Sequence, residues 1–217
     1  MVQRWFCAAW LAIGQLSIYK LDLNILPKKV NYINALITIE GNTIIHIIYN
    51  LLFLLTAWRW GDWKNWTNYY PTILFFILLD LLYNFLTYNH PLWMYHEIVT
   101  PTLLPNHTLI SLLIMFVCYP ATILIYLRYF YKTDKWVTRF FHYILWVVLY
   151  LSVEFINIPL GLISYHNGWE MWNSVAFVMT MFIILPIHYK KPLWAWAFTL
   201  AVLLVLWNQF DFPQYLK

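Results

Sequence analysis

Thr72-Ile73-Leu74-Phe75-Phe76-Ile77-Leu78-Leu79-Asp80-Leu81-Leu82 is the stretch on which the fold turns. It holds a single ionisable residue and no alternation of apolar and polar positions. In lipid every backbone N–H and C=O must be paired within the structure, so only helices and closed barrels cross a bilayer. A barrel strand alternates lipid-facing and lumen-facing residues over about ten positions. This stretch does not, and helix is what remains. The rest of the chain has the same character. Of 217 residues 63% are hydrophobic and 10% charged, against roughly 45–50% and about 25% in soluble domains. So few charges cannot cover a water-facing surface, and lipid is the solvent. The expected fold is all-α, a polytopic transmembrane bundle of six or seven helices forming one integral membrane domain over 1–217, with no soluble domain.

A spanning helix needs about 20 apolar residues, and the runs that qualify are about 3–19, 33–58, 70–89, 108–130, 140–163, 171–187 and 193–209. The first is short, contains Gln15 and Ser17, and either spans or lies in the interface. Arg4 precedes it, but no small-residue cleavage site follows before Lys20, which favours a retained helix over a signal peptide. Pro71 is expected at the start of its helix, where a missing N–H costs nothing. Pro120, Pro159 and Pro186 fall inside later runs and are expected to kink or end them. With five glycines and no Gly-xxx-Gly spacing, helix contacts must rest on aromatic and aliphatic side chains. Cys7 and Cys118 lie in apolar runs and read as small hydrophobes.

Charge sets the orientation. Arg59 and Lys64, then Arg128, Lys132, Lys135 and Arg139, then Lys190 and Lys191 mark alternate connections, while 90–107 and 163–170 contain no lysine or arginine. By the positive-inside rule the basic connections face the cytoplasm and the other two face outward. Lys20, Lys28 and Lys29 disagree with this pattern. Trp58, Trp60, Trp63 and Trp66 crowd one basic connection, as indole rings do at the headgroup level.

An ionisable side chain at mid-bilayer costs roughly 2.5–3.5 kcal/mol on insertion scales, so each one calls for an explanation. Glu40, Asp80 and Glu154 stand inside apolar runs. Asn84 lies one turn beyond Asp80 on the same face, Asn157 follows Glu154 at i+3, and Glu40 is followed by His46. Counted from the helix ends, the three acids fall in the middle or outer half of the membrane and can converge on one polar cavity. No lysine or arginine lies deep in any helix, so hydrogen bonds from Asn, Tyr, Thr and His must compensate them, and an acid without a partner is expected to stay protonated. Glu40, His46, Asp80, Asn84, Glu154 and Asn157 are the candidate ligand-binding residues. Hydrogen bonds that merely hold helices together compete with a binding cavity and an acid–base pair as explanations.

Asp80, Asn84 and Tyr88-Asn89-His90-Pro91-Leu92-Trp93 can be set beside Glu154, Asn157 and Tyr165-His166-Asn167-Gly168-Trp169 as a weak parallel repeat. Tryptophan and tyrosine in these outer loops are expected to anchor them at the headgroups. His90, His96, His107 and His166 also lie there, but no metal-binding spacing joins them to Glu97 or Glu170. No nucleotide loop or nucleophile motif is present, and 193–209 has no lysine for a Schiff base. No cofactor, metal, nucleic acid or catalytic residue is expected.

The segments Tyr83-Asn84-Phe85-Leu86-Thr87-Tyr88-Asn89-His90-Pro91-Leu92-Trp93 and Tyr165-His166-Asn167-Gly168-Trp169-Glu170-Met171-Trp172-Asn173-Ser174 resemble a group of small multi-pass membrane proteins from spore-forming Gram-positive bacteria. The similarity runs over about Tyr69 to Lys191 and includes Leu104-Pro105-Asn106-His107-Thr108. It implies a bacterial plasma or spore membrane and carries over no site residue. A second likeness is to membrane-embedded carotenoid cyclases, helical proteins with carboxylates inside the bilayer, although their Pro-x-Glu-Glu type motif is absent here. The functional expectation is a structural, interaction or ligand-binding membrane protein with an outward-facing polar cavity. Its expected partners are membrane lipids and a small hydrophobic or polar ligand. A small-solute transporter, or an enzyme using intramembrane carboxyls on a lipid or isoprenoid, is the alternative.

Overall fold

The computed structural model describes residues 48–96 and 107–210. The chain divides into Met1–Gly41 and Asn42–Lys217, and every described residue belongs to the second unit. The first expected run, most of the second, Cys7, Glu40 and His46 therefore lie outside the described residues.

In chain order the elements are α1 over 48–60, a 3-10 turn Trp63–Asn65, α2 Trp66–Leu86, β1 Trp93–Tyr95 and α3 His107–Leu113. A π-helical turn Ile114–Cys118 leads into α4 Tyr119–Phe130, followed by α5 Trp136–Asn157, β2 Ile163–Tyr165, α6 Met171–Lys190 and α7 Pro192–Gln209. Five segments are long and apolar enough to cross a membrane: Trp63–Leu86, Ile110–Phe130, Trp136–Asn157, Met171–Lys190 and Pro192–Gln209. The protein is a multi-pass, all-α membrane protein.

Burial separates the core helix from the lipid-facing ones. All seven residues Ala121–Leu127 of α4 are buried, as expected of a helix apolar on every side and surrounded by others. On α7 only Ala195 and Thr199 are buried, and Leu193 is 83% exposed. Exposed apolar area on this scale marks an interaction surface, and here the partner is hydrocarbon.

The prolines explain several boundaries. Helix α2 begins at Trp66, so Pro71 is the sixth residue of the helix and not its first. It leaves the carbonyl of Thr67 without its intrahelical donor at an exposed end. Pro120 stands two residues after the π turn Ile114–Cys118, a widened turn of the kind that relieves a local fault in the hydrogen-bond ladder. Pro186 sits inside α6 and removes the N–H that the Phe182 carbonyl would accept. The hydroxyl of the fully buried Tyr126 donates to that carbonyl instead, at 2.8 Å. Helix α5 ends at Asn157 and does not run to residue 163, because Pro159 has no N–H to carry the ladder on and Gly161 takes φ 72°. Ile163 starts β2 instead.

Basic residues close helix ends. Arg128 Nη1 donates to the carbonyls of Trp60 (2.9 Å), the last residue of α1, and Gly61 (3.1 Å), the next. Arg139 Nε donates to those of Phe130 (3.1 Å), which ends α4, and Thr133 (2.8 Å), just past it. The last carbonyls of a helix have no internal partner and a partial negative charge, so a guanidinium suits both needs.

At the other end of the bundle β1 and β2 pair antiparallel, Trp93 opposite Tyr165, Met94 opposite Ser164 and Tyr95 opposite Ile163. His166 N–H to Leu92 O (2.8 Å), His96 N–H to Leu162 O (3.0 Å) and Asn167 Nδ2 to Pro91 O (2.7 Å) extend the tie. The two outer segments set side by side in the sequence thus bond to each other. Trp93 stacks on Tyr83 with ring centroids 4.0 Å apart, and Trp169 is 4% exposed. Both indoles are inner plugs, contrary to the expectation of headgroup anchors, because the ribbon turns them onto the bundle. Trp172, 78% exposed, keeps an anchor's position.

Candidate functional site

Beneath this ribbon lies a cavity of about 240 Å³, to which every described helix except α3 contributes. Along α6 its wall runs from Ser174 to Leu185, about 16 Å at 1.5 Å per residue. Along α7 it follows Thr199, Val202, Leu203 and Leu206, one face of the helix. The space is therefore elongated, and its volume falls below the roughly 300–1,000 Å³ of pockets for drug-sized ligands. Most of the wall is aromatic or aliphatic, and none of the described lining residues is a lysine, arginine or histidine.

Asp80 and Glu154 both line this cavity, from α2 and α5. Asp80 Oδ2 accepts from the hydroxyl of Tyr119 at 2.8 Å, and Oδ1 from Asn84 Nδ2 at 3.2 Å. Asn84 also donates to the Asp80 carbonyl at 2.8 Å, so it positions the acid from behind and does not itself line the cavity. The hydroxyls of Tyr165 (2.7 Å) and Ser174 both donate to a single oxygen of Glu154, Oε1. Trp169 Nε1 in turn donates to Ser174 Oγ at 2.8 Å, so the plug also orients the acid's partner.

Burial pushes the Tyr165 hydroxyl well above its ordinary range, and the Glu154 carboxylate adds to the shift. Burial does the same to Tyr95, with further contributions from Asp80 and then Glu154. Both phenols thus keep their protons at any physiological pH, and Tyr165 is a fixed donor.

Asn157 lines the cavity at the end of α5, 4% exposed, and its Oδ1 has no hydrogen-bond partner among the described residues. Thr199 lines it from α7, 5% exposed, with Oγ1 in the same condition. A helical threonine ordinarily satisfies itself by bonding back to the carbonyl one turn earlier, and Thr199 does not.

Of the six candidates read from the sequence, Asp80, Glu154 and Asn157 share the cavity, Asn84 braces Asp80, and Glu40 and His46 lie outside the described residues. Sequence reasoning missed Tyr119, Tyr165, Ser174 and Thr199. An intramembrane acid does signal that donors exist, but which tyrosine or serine supplies them is set by helix contacts across the fold.

His96 and His166 both bond to Ser164 Oγ on the ribbon. Among the described residues no group of three or more His, Cys, Asp or Glu side chains could hold a metal ion. Cys118 is buried and donates to Asn50 Oδ1 at 3.4 Å. No family model, curated protein or solved structure matches the chain.

Proposed function

We propose that this membrane protein binds a small, elongated molecule in the cavity beneath the β1–β2 ribbon, apolar along its length with a hydrogen-bonding group at one end. The observation that carries this reading is that two buried, unpartnered atoms line the cavity, Asn157 Oδ1 from α5 and Thr199 Oγ1 from α7. Leaving a buried polar atom unsatisfied costs roughly 1–3 kcal/mol. A bound molecule offsets that cost. Interhelical glue would account for Asp80 with Tyr119, and for Glu154 with Tyr165 and Ser174, but gives no reason for two orphaned atoms beside them. The resemblance to spore-former membrane proteins supports a bacterial plasma or spore membrane as the location, with its lipids as the surrounding partners.

The test is calorimetric titration of the protein in lipid nanodiscs with 4-phenylbutylamine, 4-phenylbutanol and 4-phenylbutyrate, using protein-free nanodiscs as the blank. At least one is expected to bind saturably, and Asn157→Leu or Thr199→Val to weaken it. Both are near-isosteric exchanges that remove the unpaired atom, so the unliganded variants are expected to melt at the wild-type temperature or above. Titrations indistinguishable from the blank for all three compounds would contradict the reading.

A further inference from the structure

We infer that the ligand is a lipophilic amine, bound as its ammonium ion at the Asp80–Glu154 end of the cavity. This rests on the binding reading above and names the chemical class it leaves open. Three acceptors are offered at that end: the carboxyls of Asp80 and Glu154 and the unpartnered amide oxygen of Asn157. Of the hydroxyls close to the acids, that of Tyr119 is committed to Asp80 and that of Tyr165 to Glu154, and that of Tyr150 shares a bond with Thr122. A ligand that brings donors completes this arrangement, while one that brings only acceptors meets oxygen.

Charge points the same way. The described lysines and arginines are Arg59, Lys64, Arg128, Lys132, Lys135, Arg139, Lys190 and Lys191, all in or beside the connections at the opposite end of the bundle. An anion in the cavity would face two acids with no counter-charge among the described residues. A cation would supply the charge that the acids lack, and buried carboxylates are stable only when paired. The wall adds a third preference. Tyr83, Trp93, Tyr95, Tyr119, Tyr150 and Trp169 line it, and aromatic faces attract a desolvated ammonium. The apolar remainder of the ligand then lies along Val202, Leu203, Ile184 and Leu185.

The same three probes separate the possibilities, since they share a body and differ in the terminal group. At neutral pH the amine is expected to bind about tenfold more tightly than the alcohol, the equivalent of one charge-assisted contact, with the carboxylate weakest. Asp80→Asn and Glu154→Gln, each checked for folding by its melting curve, are expected to bring the amine down to the level of the alcohol. Should neither variant fold, the ranking on the wild-type protein decides alone. Equal binding of amine and alcohol, or tightest binding of the carboxylate, overturns this inference and leaves the binding reading standing. An amine preference that survives in a folded Asp80→Asn, Glu154→Gln double variant overturns the assignment to these acids. Binding by none of the three removes both.

Discussion

The hydroxyl of Tyr126 sits where the backbone of α6 is one donor short, and it shows how single residues hold this bundle together. Pro186 removes an N–H, the Phe182 carbonyl loses its partner, and a phenol from α4 supplies one at 2.8 Å. Tyr126→Phe is therefore expected to destabilise the protein by about 1–3 kcal/mol, the cost of an orphaned buried carbonyl. Pro186→Ala restores the missing donor, so the same exchange in that background is expected to cost less, and a double-mutant cycle on melting free energies reads the difference. Equal costs in both backgrounds would separate Tyr126 from the proline. Half of this is legible in the sequence. A proline in an apolar run announces a fault, but nothing in the order of residues says that the remedy stands 56 positions before the carbonyl it serves. The acids follow the same division: Asp80 with Asn84 is visible at i+4, whereas Asp80 with Tyr119 requires the helices to meet.

Among the elements, the long helices were readable because hydrocarbon leaves no alternative, and α4, α6 and α7 begin or end close to where hydropathy places them. The ribbon was not. A three-residue strand carries too little periodicity to register, and Ile163 looks like the tail of an apolar helix. The stop lies in Pro159 and in Gly161 at φ 72°, where a side chain meets its own backbone. Gly161→Ala is expected to destabilise by about 1–2 kcal/mol, a scale set by the left-handed region alone, and to loosen the ribbon. Hydrogen exchange at the amides of His96 and His166, which bond across to Leu162 and Leu92, is the readout. Unchanged protection together with an unchanged melting temperature would show that this backbone position is not constrained.

At the scale of the whole bundle, one end is basic and closed by arginines on helix termini, while the other has no lysine or arginine among the described residues and is roofed by the ribbon. The positive-inside rule puts the basic end in the cytoplasm. In a chain carrying Cys7→Ala and Cys118→Ala, Cys introduced at the exposed Glu170 (Glu170→Cys) is expected to react with a membrane-impermeant maleimide on intact cells, and Lys191→Cys only after lysis. The reverse pattern would invert the topology. The cavity belongs to this scale too, since its wall draws on α1, α2 and α4–α7 together. Acids in separate helices could suggest that such a space exists, but its length and its unpaired atoms emerge only once the helices are assembled. Photolabelling tests its occupancy most directly, using an amine-terminated alkyl diazirine and peptide mapping of α7. Labels on Val202, Leu203 and Leu206, competed by 4-phenylbutylamine, are the predicted result. Labels confined to the lipid-facing Leu200, Leu204 and Val205, and insensitive to competitor, would contradict the account.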